Sequence, residues 1–211
     1  MKKSIENIDV GIAPLLRQAN SMQGRRMKIV IGMTGASGAT IGLRLLEVLD
    51  AEKHLIISEE ARKIIELETE LSGEDAETNA DLVYENSDLG SALSSGSYRY
   101  DAMVVAPCSM STLSKISTGI SDNLITRCAS VCLKEHRPLV IVPRETPVSA
   151  VHLRNMAYLA ELGAFVLPAS PAFYPRPKSV EDMIDFIVGR VLDVLGIDND
   201  LYQRWTGERP Q

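Results

Sequence analysis

The sequence predicts an α/β domain built on a mainly parallel sheet with helices on both faces. Three observations predict it. Short runs rich in Val, Ile and Leu alternate with stretches whose apolar residues recur at spacings of three and four. The first run, Lys28 to Met33, breaks into Thr34-Gly35-Ala36-Ser37-Gly38 just before such a helical stretch. The later runs also end on small, hydroxyl-bearing, proline or charged residues in place of core residues. Ligands of open parallel sheets bind outside the carboxyl ends of the strands. The five ends, Gly35-Ala36-Ser37, Ser58, Pro107-Cys108-Ser109, Arg144-Glu145 and Pro168 onward, therefore mark one candidate site.

Residues 1–26 read as an extension ahead of the domain. Ile8, Ile12, Leu15 and Leu16 suit one face of a short helix that Pro14 interrupts. The stretch has no signal-peptide core; an oligomer-contact arm and a translation start at Met27 are both open. After the first strand, Ile41, Leu45, Leu46, Val48 and Leu49 carry a helix. The Thr-Gly-Ala-Ser-Gly turn between them suits a phosphate, because glycines let the backbone approach an anion and the helix N-terminus offers free N–H groups. A tight turn packed by small residues is the other reading, since the spacing matches neither the dinucleotide fingerprint nor a Walker loop.

His54 to Ser58 is the second strand, and Ser58 caps a helix opened by Glu59-Glu60 and running to about Glu68. Leu71 to Ala80 is polar and reads as a surface connection. Asp88 to Tyr100, with Ser91, Ser94, Ser95, Gly96 and Ser97, is a linker by composition or a loop that wraps a ligand. The third strand, Ala102 to Ala106, stops at Pro107-Cys108-Ser109-Met110-Ser111-Thr112. A helix from about Asp122 to Glu135 follows the Gly119 break, capped by Ser121 or Asp122. Leu139 to Val142 is the fourth strand. The next helix, Ser149 to Leu162, has Leu153, Met156, Ala157 and Ala160 on one face. The fifth strand is Ala164 to Leu167. The last helix starts at Ser179 with Asp182 in a capping box and runs to Gly196, and residues 198–211 form a polar tail that holds Trp205. One domain over residues 27–197 accounts for all of this.

Composition excludes several classes. The 211 residues are 45% hydrophobic with no run of transmembrane length, which predicts a soluble protein with no membrane contact, and the odd count of three cysteines predicts a cytoplasmic one. A net charge of −6 argues against a nucleic-acid binder. Cys108, Cys128 and Cys132 lack metal-site spacing and read as reduced packing thiols. His54, His136 and His152 sit in no ligand pattern and read as structural.

Among the candidate residues, Ser37 suits a ligand contact, a proton transfer or a helix cap. Ser109, Ser111 and Thr112 suit a phosphate or a flavin edge. Arg127 and Lys134, seven residues apart, share about one helix face. Arg144 and Glu145 follow an apolar strand directly, so they either face a ligand from a buried position or pair with each other. Tyr174 lies in a stiff, proline-bounded loop, and Arg190 is a lone charge at the edge of an apolar stripe, either an anion ligand or a snorkelling stem.

These motifs in order resemble those of the UbiX-type flavin prenyltransferases. The matching residues are Thr34-Gly35-Ala36-Ser37-Gly38, Ser95-Gly96-Ser97, Pro107-Cys108-Ser109, Asn123-Leu124 with Arg127, Lys134-Glu135, Val142-Pro143-Arg144-Glu145-x-Pro147, Phe173-Tyr174 and Ser179-Val180-Glu181-Asp182, and the likeness runs from about Lys28 to Trp205. The resemblance implies an FMN-binding, Rossmann-like (flavodoxin-like) three-layer domain, assembled as a homododecamer with sites between subunits. It implies transfer of a dimethylallyl group from dimethylallyl phosphate to N5 and then C6 of reduced FMN, without metal. The prenylated FMN so made is the cofactor of UbiD-type decarboxylases. By position, Gly35, Ala36, Ser37, Ser58, Ser109, Met110, Ser111, Thr112 and Arg144 would hold FMN. Arg127, Lys134, Tyr174 and Arg190, helped by Ser95 and Gly96, would hold the prenyl phosphate. Ser37 and Glu145 would relay protons, with Glu68 a further candidate. Catalysis would thus rest on Ser37, Glu145, Tyr174, Lys134 and Arg190. Leu89 stands where some members carry a tryptophan.

Two rival readings remain. An FMN-dependent cysteine decarboxylase would carry Pro-Ala-Ser-Ala-Asn-Thr and a catalytic histidine. Here Ser111 replaces the asparagine, and no histidine follows the second strand at the matching place. A non-catalytic flavin carrier is disfavoured by Lys134, Glu145, Tyr174 and Arg190.

Overall fold

The structure is a computed structural model that describes residues 25–207. The extension's apolar face, Ile8 to Leu16, lies outside the described residues. Six strands form one sheet: β1 (Lys28–Met33), β2 (Glu52–Ile57), β3 (Leu82–Glu85), β4 (Ala102–Cys108), β5 (Leu139–Pro143) and β6 (Phe165–Val166). Their order is β3-β2-β1-β4-β5-β6 and every pair is parallel. The five strands legible in the sequence stand in the flavodoxin-like order, second, first, third, fourth, fifth. The sixth, β3, adds one edge and completes the doubly wound order.

β3 corrects the sequence reading, which assigned no element there. It is an edge strand with Leu82 45% and Val83 41% exposed, so it lacks the continuous apolar run of a buried strand. The connection read over Leu71–Ala80 likewise holds one short helix, α3 (Gly73–Glu77). Ser72 and Asp75 form its capping box.

The other helices are α1 (Ala39–Val48), α2 (Glu59–Glu68), α4 (Met110–Thr118), α5 (Leu124–Lys134), α6 (Ala150–Glu161) and α7 (Val180–Leu195), with a 3-10 turn at Ala92–Ser94. Strand side chains alternate between faces, and this alternation splits the core into two layers. Ile29, Ile31, Leu55 and Val142 pack under Leu45, Leu46, Ile65, Val188 and Val191 of α1, α2 and α7. Val30, Ile56, Met103, Val105 and Ile141 pack under Leu113, Ile125, Cys128, Val131 and Leu159 of α4, α5 and α6. The sheet is a wall, with α7 on one side and α5 on the other.

Ser58 caps α2 by accepting from the Ala61 amide at 3.1 Å, and Ser179 with Asp182 boxes the start of α7, both as the sequence predicts. The cap of α5 is Asn123, which accepts from the Thr126 amide at 3.0 Å, and not Ser121 or Asp122. On α6 the inward residue is Leu159, while Leu153 is 53% exposed and Ala157 and Ala160 face out. Of the apolar face expected there only Met156 packs against the core; Leu153, Ala157 and Ala160 belong to a surface continued by Val151, Tyr158 and Leu162.

The three thiols are buried packing residues, and burial pushes Cys128 and Cys132 up to about 12. His54 is fully buried between Glu52 and Tyr84, a structural position. Among the described residues no helix is long and apolar enough to cross a membrane.

Candidate functional site

Parallel strands deliver helix N-termini to one end of the sheet, those of α1, α2 and α4 from its neighbouring central strands β1, β2 and β4. α2 and α4 arrive plugged by their own serines, Ser58 and Ser109. α1 has no side-chain cap, because its N-cap is Gly38, at φ +100, a backbone that excludes most side chains. Its free amides find a carboxylate instead. Gly38 N and Ala39 N donate to Glu68 Oε2 at 2.8 and 2.9 Å, reaching across from the end of α2. Burial would raise the Glu68 carboxyl. Hydrogen bonds from Ser37, Gly38 and Ala39 and the nearby Arg144 charge outweigh it and hold the group below its ordinary 4.5.

This makes a pH prediction. A carboxyl lowered on folding adds stability above about its unfolded pKa and loses it as pH falls through the lower folded value. Glu68→Gln should melt below the wild-type protein at neutral pH, with a constant gap down to about pH 4.5 that closes at lower pH. Thermal melts of both proteins across that range test it; a gap that persists into strong acid would refute the assignment.

β1 and β4 are stitched together at the same end by Thr34, a residue the sequence reading quoted only inside a motif. Its buried hydroxyl donates to the Pro107 carbonyl at 2.9 Å and accepts from the Ser109 amide at 2.7 Å. Ser109 Oγ in turn donates to Thr112 Oγ1 and accepts from the Thr112 amide. From β5, Arg144 Nε donates to the Ser37 carbonyl at 3.1 Å, tying the Gly-Ala-Ser turn across the sheet. Arg144 thus meets Ser37, and the alternative of pairing with Glu145 is not taken. Glu145 is exposed, contrary to the burial expected of it, and accepts from the Thr146 amide.

A cavity of 390 Å³ opens between these strand ends, lined by Thr34, Gly35, Ser58, Ser109, Ser111 and Thr112 from the predicted turns. Gly35 packs so close to α2 that a Cβ there would lie 2.4 Å from Glu60 Cβ. Asn86, just past the missed strand β3, also lines it, and accepts from the Leu124 and Ile125 amides that open α5. Ala36 is buried beside Gly35. Met110 turns its side chain into the core, which leaves only its first-turn amide to a ligand.

The four residues expected at the phosphate divide into two groups. Arg127 donates from Nε to the Ser94 carbonyl at 2.9 Å. Lys134 ion-pairs with Glu135 against Gly96, where a Cβ would lie 2.5 Å from Lys134 Nζ. Arg137, which the sequence reading passed over, donates to the Gly96 and Tyr98 carbonyls and stacks on Tyr100. These groups hold the Ser95-Gly96-Ser97 loop on α5. Tyr174 and Arg190 stand elsewhere, Tyr174 in the loop before α7 and Arg190 on α7 itself. The Tyr174 ring meets Phe186 and Trp205 edge-on, and Arg190, one turn beyond Phe186, donates to Asp193 and Tyr202.

α5 opens beside the cavity at Ile125, and Lys134 lies nine residues on, about 14 Å further along the axis. Arg190 is on the opposite side of the sheet. One copy of the chain does not close both around a single phosphate.

A model of the Flavoprotein family matches residues 17–192. A flavin prenyltransferase UbiX from Methanocaldococcus jannaschii is 54% identical over 181 residues, which are 85% of this chain and 98% of that one. The crystal structure of AnUbiX (PadA1) in complex with FMN and dimethylallyl pyrophosphate superposes with a TM-score of 0.85 at 45% identity, over 87% of this chain and 100% of that one. A dodecameric FMN-dependent UbiX-like decarboxylase from Escherichia coli O157:H7 superposes with a TM-score of 0.83, also at 45% identity, over 86% and 100%. Likeness at this level, along the whole length of the relatives and over a strand order that gathers the same turns at one end of the sheet, makes the chain a member of the UbiX family of flavin prenyltransferases.

Proposed function

We propose that the chain transfers a dimethylallyl group from dimethylallyl phosphate to N5 and C6 of reduced FMN. The product would be prenylated FMN, to be used by a UbiD-type decarboxylase. What supports this beyond family membership is the cradle at the strand ends. Its one uncapped helix N-terminus already holds a carboxylate beside Ser37 and Arg144, so it is built to receive an anion.

The cradle suits FMN. Its walls offer hydroxyls, amides and small residues at Gly35 and Ala36, and its volume is within the range of small-molecule pockets. Gly35, Ala36, Ser37, Ser58, Ser109, Ser111, Thr112, the Met110 amide and Arg144 would hold it. Bound and reduced, FMN supplies the nucleophilic ring atoms. The protein would fix the prenyl carbon against them, which contributes the proximity effect. Arg127, Lys134, Tyr174 and Arg190, with Ser95 and Gly96, would donate to the phosphate as negative charge grows on it at departure. Ser37 and Glu145 would move the proton released on ring closure.

Because the sheet separates Lys134 from Arg190, the phosphate would be gripped by groups from more than one copy. The dodecameric relative offers a precedent for such assembly, and the exposed apolar face of α6 is a surface suited to bury against another copy. The test is anaerobic incubation with reduced FMN and dimethylallyl phosphate, followed by mass spectrometry of the flavin. A flavin heavier by one prenyl unit, formed equally well with a metal chelator present, is the expected result. Unmodified bound FMN would favour a carrier, and loss of activity with the chelator would refute metal independence.

A further inference from the structure

Asp193 is the most heavily hydrogen-bonded carboxylate on α7. Its side chain is 15% exposed and gathers donors from four residues. Arg190 Nη1 donates to Oδ2 at 2.8 Å, and Tyr202 Oη donates to the same oxygen at 2.6 Å. Arg204 spans both oxygens, with Nη1 at 3.2 Å from Oδ2 and Nη2 at 2.7 Å from Oδ1. Asn199 Nδ2 donates to Oδ1 at 3.0 Å. Three of these four donors belong to the segment after Gly196, which doubles back onto α7. Gly189 makes room for it, since a Cβ there would lie 2.6 Å from the Tyr202 ring.

The returned segment builds an aromatic chain. Tyr202 packs on Phe186 at 4.9 Å between centroids, Phe186 meets Tyr174 at 6.2 Å, and Tyr174 meets Trp205 at 5.5 Å. Arg190 touches this array through Nη1 alone. Its Nη2 and Nε make no hydrogen bond among the described residues, and its side chain is 47% exposed. A guanidinium clamped at one end by a half-buried carboxylate, and open at the other, is preorganised to meet an anion with a full fork of donors. The same carboxylate also lets two guanidinium groups, Arg190 and Arg204, lie close together; without it they would repel each other.

We infer that Asp193 is a positioning residue for prenyl-phosphate binding: it aims Arg190 by one end of its guanidinium and pins the 198–205 segment that seats Trp205 against Tyr174. The inference rests on the reading of Arg190 as a phosphate grip. Asp193 touches neither substrate nor FMN; it acts through Arg190 and the returned segment.

Binding of dimethylallyl phosphate to the assembled protein carrying oxidised FMN, where no transfer occurs, is the measurement. Asp193→Asn keeps the shape and removes the charge. It should weaken dimethylallyl phosphate binding by about tenfold, the worth of a charge-assisted hydrogen bond, and leave FMN affinity within about twofold. The emission of Trp205, the only tryptophan in the chain, should shift to the red as the segment loosens. In an Arg190→Ala background the same substitution should cost clearly less than in the wild type, because the part of its effect that runs through the guanidinium is already gone and only the part through the returned segment remains. Asp193→Glu, which retains the charge on a longer arm, should recover part of the affinity, and serves in the same cycle if the Asn variant does not fold. Equal losses in the wild-type and Arg190→Ala backgrounds would overturn the inference, as would unchanged binding in Asp193→Asn. If Arg190→Ala itself binds dimethylallyl phosphate normally, the phosphate reading of Arg190 falls first and this inference with it.

Discussion

Lys134→Ala and Arg190→Ala, each inactive when it fills the whole assembly, should restore activity to one another when co-expressed. Each variant alone should lose about 100-fold in transfer, the usual cost of deleting one donor aimed at developing charge. FMN binding should survive in both, because neither side chain lies among the cradle residues. The rescue follows from the wall of the sheet. Lys134 rides on α5 and Arg190 on α7, in opposite layers, so a phosphate they share would be gripped by two copies. In a randomly mixed assembly about one site in four would receive an intact Lys134 from one copy and an intact Arg190 from another. Activity near a quarter of wild type is thus the expected outcome, read as prenylated FMN per protein. Mixed assemblies as dead as their parents would mean that both residues serve from the same copy, and the shared-site reading would be wrong.

Thr34→Val should be among the most destabilising conservative substitutions in the domain. The two side chains have nearly the same shape, so packing is kept and only hydrogen bonding is lost. Thr34 is 3% exposed, and its hydroxyl serves the Pro107 carbonyl and the Ser109 amide at once. Leaving buried partners unsatisfied costs about 1–3 kcal/mol each. Some of that is relieved because the Thr34 amide also donates to the Pro107 carbonyl. A loss of about 2–4 kcal/mol remains, roughly 10 °C in melting temperature for a domain of this size. FMN affinity should fall with it, since Ser109 and the turn after β1 are two walls of one cradle. A variant that melts within a degree or two of wild type would show that water or a shifted backbone replaces the hydroxyl.

Most of the architecture is legible in the sequence because it is written in buried runs. β1, β4 and β5 are apolar almost throughout and β2 ends in Leu55-Ile56-Ile57, and the serines that cap α2 and α7 stand where capping chemistry requires them. β3 was not legible because an edge strand keeps one side in water, and Leu82-Val83-Tyr84-Glu85 has no pattern that separates it from a loop. The outward face of α6 misled for the opposite reason: Leu153 looks like core, and a periodicity count does not say which side of an apolar helix meets the sheet. The strand-end cluster of Ser37, Ser58, Ser109 and Arg144 could be listed from sequence, since parallel strands bring their ends together. That Lys134 and Arg190 fall on opposite sides of the sheet depends on which layer each crossover helix joins, and no motif carries that. Thr34 and Arg137 were missed because each acts through hydrogen bonds to distant backbone, a relation with no spacing in the chain. Asp193 stands at helix spacing from Arg190, but Asn199, Tyr202 and Arg204 join it only because the segment after Gly196 doubles back.

The carboxylate at the mouth of α1 has one more consequence. Glu68 is a tethered rival for whatever anion comes to Gly38 and Ala39, present at an effective concentration no dissolved ion matches. A stray chloride or inorganic phosphate must evict it and gains little by doing so. A ligand held at several other points as well can afford the exchange. A flavin whose other holds have loosened faces the returning carboxylate, so the same side chain that guards the empty cradle also hastens its clearing.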